Sequence, residues 1–318
     1  TEADEDVAGY VKPVLLSWER IVLPGSYREV SNIIRRILDE KIEKLRALRL
    51  LPRDVSITKR MLLDLGEALR QKLAGRRAEY LFGAILLQSQ AISLQHGIEL
   101  VETQGIPSLI RYLTRARQSR NRSSRGLAKD SRMIGALKLS ESLAEVEHPK
   151  QTRLRALVGQ QLKARADSKI IVFTQFRDTV ETIVENLNQV DRVSAVRFVG
   201  QATRDLQDAG LRQGEQLQIL EDFRSGRYNV LVTTSIGEEG LHVPDVDHVI
   251  FYETVPSEIR SIQRRGRTGR TNVGKVTVLM AEGTIDEAYY YSSRRKEQEM
   301  HQIPQTMKWR GLKRGRRK

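Results

Sequence analysis

The sequence predicts an α/β protein in which a parallel sheet with flanking helices is preceded by an all-helical module. The first observation behind this reading is a change of period. From Ser26 to Glu145 apolar residues recur at helical spacing, whereas from Lys169 to Ala281 apolar runs of strand length alternate with amphipathic stretches. The second is connectivity, because strands joined through helices belong to parallel sheets with right-handed crossovers. The third is charge. Lysine and arginine number 54 against 40 acids, and the resulting net charge of +14 points to a polyanionic partner, nucleic acid above all.

At 318 residues the chain is long enough for two cores, and 39% hydrophobic with 30% charged residues describes a soluble globular protein. The absence of cysteine excludes disulfides and thiolate metal sites, and five scattered histidines make no zinc centre. No stretch reads as a secretory signal or lipidation motif. The longest run without Asp, Glu, Lys or Arg, Tyr80 to Ile98, is interrupted by Gln88, Ser89, Gln90, Ser93 and Gln95. Lipid would penalise those polar groups, so the run reads as a helix buried centrally in a bundle.

Taken in order, residues 1–24 read as a linker, acidic at Asp4-Glu5-Asp6, running into an extended segment from Val14 to Pro24. Ser26 and Glu29 have the spacing of a capping box, and Val30, Ile33, Ile34, Ile37, Leu38, Leu45 and Leu48 form one apolar stripe, stopped at Pro52. A second helix runs from about Ser56 to Leu73, with Met61, Leu62, Leu65, Leu69 and Leu73 inward and Gly75 as its stop. The third spans Tyr80 to Gly105, Pro107 opens a fourth, and a fifth runs from about Ser131 to Glu145. Residues 25–146 therefore make a compact bundle, with a flexible loop at Ser123-Ser124-Arg125-Gly126. Within it, Arg111, Arg115, Arg117, Arg120, Arg122 and Arg125 fall in fifteen residues, and no acid occurs between Glu102 and Asp130. Such a run is usually a solvated helix face. The alternative is a surface that tracks phosphates of duplex or branched DNA without reading bases.

Residues 147–300 carry the sheet. Lys169 to Phe176 is a strand with the polar tip Thr174-Gln175, and Val180, Ile183, Val184 and Leu187 follow at helical spacing. Arg197 to Gln201 is a strand with a glycine end, and a helix spans Gln213 to Phe223. Asn229 to Ser235 is an apolar strand ending in hydroxyls. It runs into a glycine-punctuated loop, Ile236 to Pro244, that bears Glu238 and Glu239. Strands at His248–Glu253 and Lys275–Ala281 flank a helical pattern, Pro256 to Arg265. That helix delivers the turn Gln263-Arg264-Arg265-Gly266-Arg267-Thr268-Gly269-Arg270. Four arginines and two glycines without an acid make a poor core element and a good phosphate clamp. In parallel sheets ligands collect beyond the carboxyl ends of the strands, where the Thr174, Thr234 and Gly266 loops lie.

A strand ending in Thr174-Gln175, then Thr233-Thr234-Ser235-Ile236-Gly237-Glu238-Glu239-Gly240-Leu241, then the arginine octapeptide resemble motifs IV, V and VI of superfamily 2 helicases. Val255 to Ile262, Asp286-Glu287-Ala288-Tyr289-Tyr290 and Glu99 to Gly105 are similar to the archaeal Hef and eukaryotic FANCM group. The resemblance covers nearly the whole chain. It implies a second RecA-like lobe at 147–300, a thumb-like helical insertion at 25–146 and a basic tail at 301–318. By the same resemblance Arg267 and Arg270 are arginine fingers reaching a γ-phosphate, and Gln263 holds the interface between lobes. Gly237, Glu239 and Gly240 would couple nucleotide state to strand contacts. Thr174, Gln175, Gly200, Gln201 and Thr234 would face the DNA backbone. His242 departs from the group, which commonly has aspartate there.

The resemblance also implies ATP and Mg2+, bound mostly by a first RecA-like lobe. This chain shows no P-loop: Gly269 to Val276 has the glycine and lysine spacing, but Val276 replaces the metal-binding hydroxyl and a strand follows instead of a helix. Asp4-Glu5-Asp6 follows no apolar strand and is no DExH pair. The fragment alone is therefore expected to lack ATPase activity, and no metal ligands are assigned. The implied partners are forked or branched DNA, the first lobe in the same polypeptide and a nuclease domain, with no membrane. The implied location is cytoplasmic, nucleoid-associated in a prokaryote or nuclear in a eukaryote. Two alternatives stay open: a duplex-RNA-dependent helicase of the Dicer and RIG-I type, and a non-catalytic branched-DNA-binding module.

Overall fold

The computed structural model describes residues 15–75, 79–200, 210–234, 245–255 and 273–292, with Ser257, Ile259 and Arg295. They divide into two compact units, one from Val22 to Pro149 and the other from the segments on either side of it.

Among the described residues the first unit is a run of helices: α1 (Gly25–Ala47), α2 (Lys59–Gly75), α3 (Glu79–Thr103), α4 (Ile106–Gln118), α5 (Arg122–Ala128) and α6 (Ser131–Ser142). The apolar residues of α3 are not confined to one face, and it packs against α1, α2, α4 and α5, as a central helix must. Its polar side chains bond inside the bundle. Gln88 Nε2 donates to the Leu62 carbonyl at 2.7 Å, and Thr103 Oγ1 to the Glu99 carbonyl at 2.8 Å. The Gln88 amide occupies the space left by Gly66, where a Cβ would lie 2.4 Å from Nε2. On α1, Val30, Ile34, Ile37, Leu38 and Leu45 are buried; Ile33 is half-buried, and Leu48, beyond the last turn, is exposed.

Local chemistry departs from expectation in two places. No capping box forms at Ser26 and Glu29, because α1 starts at Gly25 behind Pro24 without a side-chain cap and Ser26 already lies inside the first turn. The carbonyl of Pro24 accepts the Tyr27 amide at 3.1 Å instead. Ser123 to Gly126 is helical rather than a loop, because Asn121 Oδ1 accepts the Ser123 amide at 2.8 Å and caps α5.

The second unit is a RecA-like parallel sheet with flanking helices. Its strands are β1 (Leu15–Ile21), β2 (Ile170–Phe173), β3 (Ala195–Phe198), β4 (Val230–Thr233), β5 (Val246–Phe251) and β6 (Val273–Ala281). The order is β1-β6-β5-β2-β4-β3, with every pairing parallel. Alternate residues feed two cores, as expected of strands covered on both faces. Ile170, Val172, Val230, Val232 and Ile250 pack with α7 (Pro149–Ala164) and α8 (Arg177–Leu187). Ile171, Phe173, Leu231, Val249 and Phe251 pack with α9 (Gln213–Ser225). The extended segment before the bundle is β1, paired with β6 from Leu15 opposite Lys275 to Ile21 opposite Ala281.

Candidate functional site

β2, β4 and β5 end side by side, and the chain leaving them carries the polar groups. The Thr174 amide donates to the Thr233 carbonyl at 3.0 Å. Thr174 Oγ1 donates to Glu253 Oε1 at 3.1 Å, and the same oxygen accepts the Gln175 amide. Thr174 is 1% exposed and Glu253 2%. The threonine hydroxyl expected to face DNA is therefore turned into the sheet rim, and Gln175 is the side chain left exposed at this tip. At the end of β3, Arg177 Nη2 donates to the Gly200 carbonyl and Gln216 Nε2 to the Val199 carbonyl, each at 3.0 Å. Gly200 and Thr234 are half-buried. Gln201, Gly237, Glu239, Gly240, His242, Gln263, Arg267 and Arg270 lie outside the described residues.

The structure does describe the rim of the sheet from which the arginine-bearing segment departs. Asp286 accepts the Thr254 amide on Oδ1 at 3.1 Å and the Ala281 amide on Oδ2 at 3.2 Å. Lys150 Nζ, fully buried, donates to Oδ2 at 2.5 Å and lies 5.3 Å from the Tyr252 ring centre. Thr254 follows β5 and Ala281 ends the neighbouring parallel strand β6, so one carboxylate ties the carboxyl ends of these two strands together, and of the two only Thr254 adjoins the arginine-bearing segment. Thr284 fixes the loop that carries it: Thr284 Oγ1 donates to the Ala281 carbonyl at 2.7 Å and accepts the Asp286 amide at 3.2 Å. Sequence reasoning gave no role to Lys150, Glu253 or Asp286. A threonine two residues before an aspartate, just past an apolar strand, was the available signal for Asp286. Lys150 carries none, because its partner is 136 residues away.

A second polar chain crosses β5, β6 and β1. His248 Nε2 lies 2.8 Å from Thr277 Oγ1, which lies 2.9 Å from Ser17 Oγ. Burial, helped by the nearby Lys275 cation, lowers the His248 pKa to about 4. The ring is neutral near pH 7 and acts as a structural hydrogen-bonding group.

In the helical unit the arginines stand on α4, α5 and the turn between them. Arg115, Arg117, Arg120, Arg122 and Arg125 are exposed, while Arg111 is half-buried and donates to Ser108 Oγ at 3.2 Å. Among the described residues, Arg117, Arg120, Arg122 and Arg125 make no ion pair. Nearby Arg132, in contrast, is neutralised by Asp130 and Glu40, each at 2.7 Å. Cations without local counterions suit phosphate oxygens.

Residues 150–272 match the family described as the helicase conserved C-terminal domain, and residues 26–147 match the helical bundle of an ATP-dependent RNA helicase family. The crystal structure of the Pyrococcus furiosus Hef helicase domain superposes with a TM-score of 0.75 at 42% identity, covering 92% of this chain and 60% of that one. A Methanocaldococcus jannaschii protein named as an ATP-dependent RNA helicase is 39% identical over 307 residues, 96% of this chain and 38% of the relative. The Fanconi anemia group M protein of Gallus gallus is 32% identical over 248 residues, 63% of this chain and 12% of that protein. The chain thus spans less than two fifths of the length of either curated relative.

Fold and site together define a helicase C-terminal domain preceded by its helical bundle. The chain carries the helicase conserved C-terminal domain and the helical bundle, and it is close to the Hef helicase domain and the FANCM proteins, consistent with the C-terminal region of a Hef/FANCM-type superfamily 2 helicase.

Proposed function

We propose that the chain is the C-terminal motor lobe and DNA-binding insertion of an ATP-dependent helicase or translocase that acts on forked or branched DNA in repair and fork processing. The observation that carries this reading is the Asp286 frame. It ties the carboxyl ends of neighbouring strands β5 and β6 together at the rim where parallel sheets bind ligands, beside the point where the chain leaves β5 toward the octapeptide. The donor set this chain offers, guanidinium groups and glycine amides, suits the phosphate end of ATP. Arg267 and Arg270 would stabilise charge on the γ-phosphate, Gln263, Gly237, Glu239 and Gly240 would complete the nucleotide contact, and a first lobe would hold Mg2+. Gln175, Gly200, Gln201 and Thr234 would meet the nucleic-acid backbone, with Thr174 supporting them from beneath. Among the described residues no helix is long and apolar enough to cross a membrane.

One observation favours a second substrate: the Methanocaldococcus jannaschii relative is named an RNA helicase. Competition among forked DNA, linear duplex DNA and duplex RNA of equal length separates the two. Preference for the fork supports the proposal, and preference for duplex RNA replaces it with the RNA reading.

A further inference from the structure

The helical unit holds a cavity of about 220 Å³ enclosed by α1, α3, α4, α5 and α6. Protein interiors rarely leave voids larger than a water molecule, and an apolar space of about 150 Å³ already admits benzene. The floor is apolar, with Ile34, Leu94, Gly97, Leu113, Leu127 and Leu137. The lining residues that are exposed, Arg117, Ile134, Lys138 and Glu141, mark where it opens. Polar atoms inside are few. Tyr112 is held by its hydroxyl on the Ser93 carbonyl at 3.1 Å, and Ser93 and Ser124 stand in the wall.

Arg117 belongs both to this wall and to the arginine row, and Ser124 is flanked by Arg125 and close in sequence to Arg122. A largely apolar space of this volume, edged by cations without acid partners, is complementary to a ring attached to a phosphate. We propose that the cavity receives an unpaired nucleobase while the adjoining phosphates rest on Arg117, Lys138 and the α5 arginines. Glu141 at the rim would accept a hydrogen bond from an exocyclic amine. The inference rests on the nucleic-acid reading of the arginine row and adds to it a preference for DNA with an unpaired or readily extruded base, the kind found at a branch point.

The test uses 2-aminopurine, an adenine analogue whose emission is quenched when stacked on neighbouring bases and restored when it is unstacked. Forked DNA with the analogue at the junction, and the free 2-aminopurine nucleotide, are each titrated with the 318-residue chain. Wild type is expected to raise junction emission and to bind the free nucleotide saturably. Ala116→Leu, which fills the cavity without removing a cation, should abolish both while changing fork affinity by less than about threefold, or under 1 kcal/mol. Thermal melting checks that this variant folds, and Ala128→Val replaces it if it does not. Fork binding with no emission change, or an unaltered change in the filled variants, overturns the cavity proposal and leaves the arginine row standing. Failure of the fork to bind, with the free nucleotide still displaced by filling the cavity, overturns the arginine-row reading and leaves the cavity.

Discussion

Two buried polar groups show how single residues hold the site's frame. Lys150 and Asp286 pair at 2.5 Å away from water, and the same carboxylate accepts two backbone amides. Removing one member strands the other charge, so Lys150→Met should lower unfolding free energy by roughly 3–5 kcal/mol in a urea melt. A loss below about 1 kcal/mol would mean that the pair behaves like an exposed one. His248 makes a prediction in pH. Its folded pKa of about 4 lies below the ordinary value of 6.5, so between those values the unfolded chain binds the proton and the folded chain does not. Stability is therefore complete above pH 6.5 and lost as pH falls to about 4, by roughly 3 kcal/mol. Subtracting the pH profile of His248→Gln from that of wild type should isolate this slope. Parallel profiles would assign the acid lability elsewhere.

At the scale of elements, what the sequence disclosed was periodic and local. The alternating runs of β2, β4 and β5 and the stripe of α1 were readable because burial repeats along one segment. β1 was readable only as extended, since its partner β6 is about 260 residues away and pairing over that distance leaves no local mark. α7 went unread, although Leu154, Leu157, Val158 and Leu162 stand at helical spacing between charged residues. The caps failed differently, because Ser26 had the right chemistry two residues too late and Asn121 had it inside an apparent loop. Of the candidate site, the arginine octapeptide is a reading of composition that lies outside the described residues, whereas Glu253, Lys150 and Asp286 act only through tertiary contacts. Packing of α2 on α3 is testable at Gly66. Gly66→Ala pushes the Gln88 amide off the Leu62 carbonyl and should cost about 1–3 kcal/mol by chemical denaturation. An unchanged midpoint would mean that α3 shifts to accommodate the methyl group. For α4 and α5, replacing Arg117, Arg120 and Arg122 with alanine should weaken DNA binding and lower the slope of log affinity against log salt by about 2.7. An unchanged slope would return the row to a solvated helix face.

For the molecule as a whole, a net charge of +14 and a RecA-like parallel sheet preceded by a helical bundle match the C-terminal region of longer helicase relatives. In the proposed reading each unit contributes its own chemistry: the sheet would present groups toward a nucleotide, and the bundle would present cations toward nucleic acid. Because the chain spans 38% of its Methanocaldococcus jannaschii relative, activity is a property to be measured in the longer polypeptide. The most direct test is DNA-stimulated ATP hydrolysis by this chain joined to a first RecA-like lobe, compared with Arg267→Ala and Arg270→Ala. The expected result is turnover that needs both DNA and the added lobe and falls by about 10³-fold or more in either variant, with DNA affinity unchanged. Hydrolysis by the 318-residue chain alone, or equal turnover in the arginine variants, would contradict it.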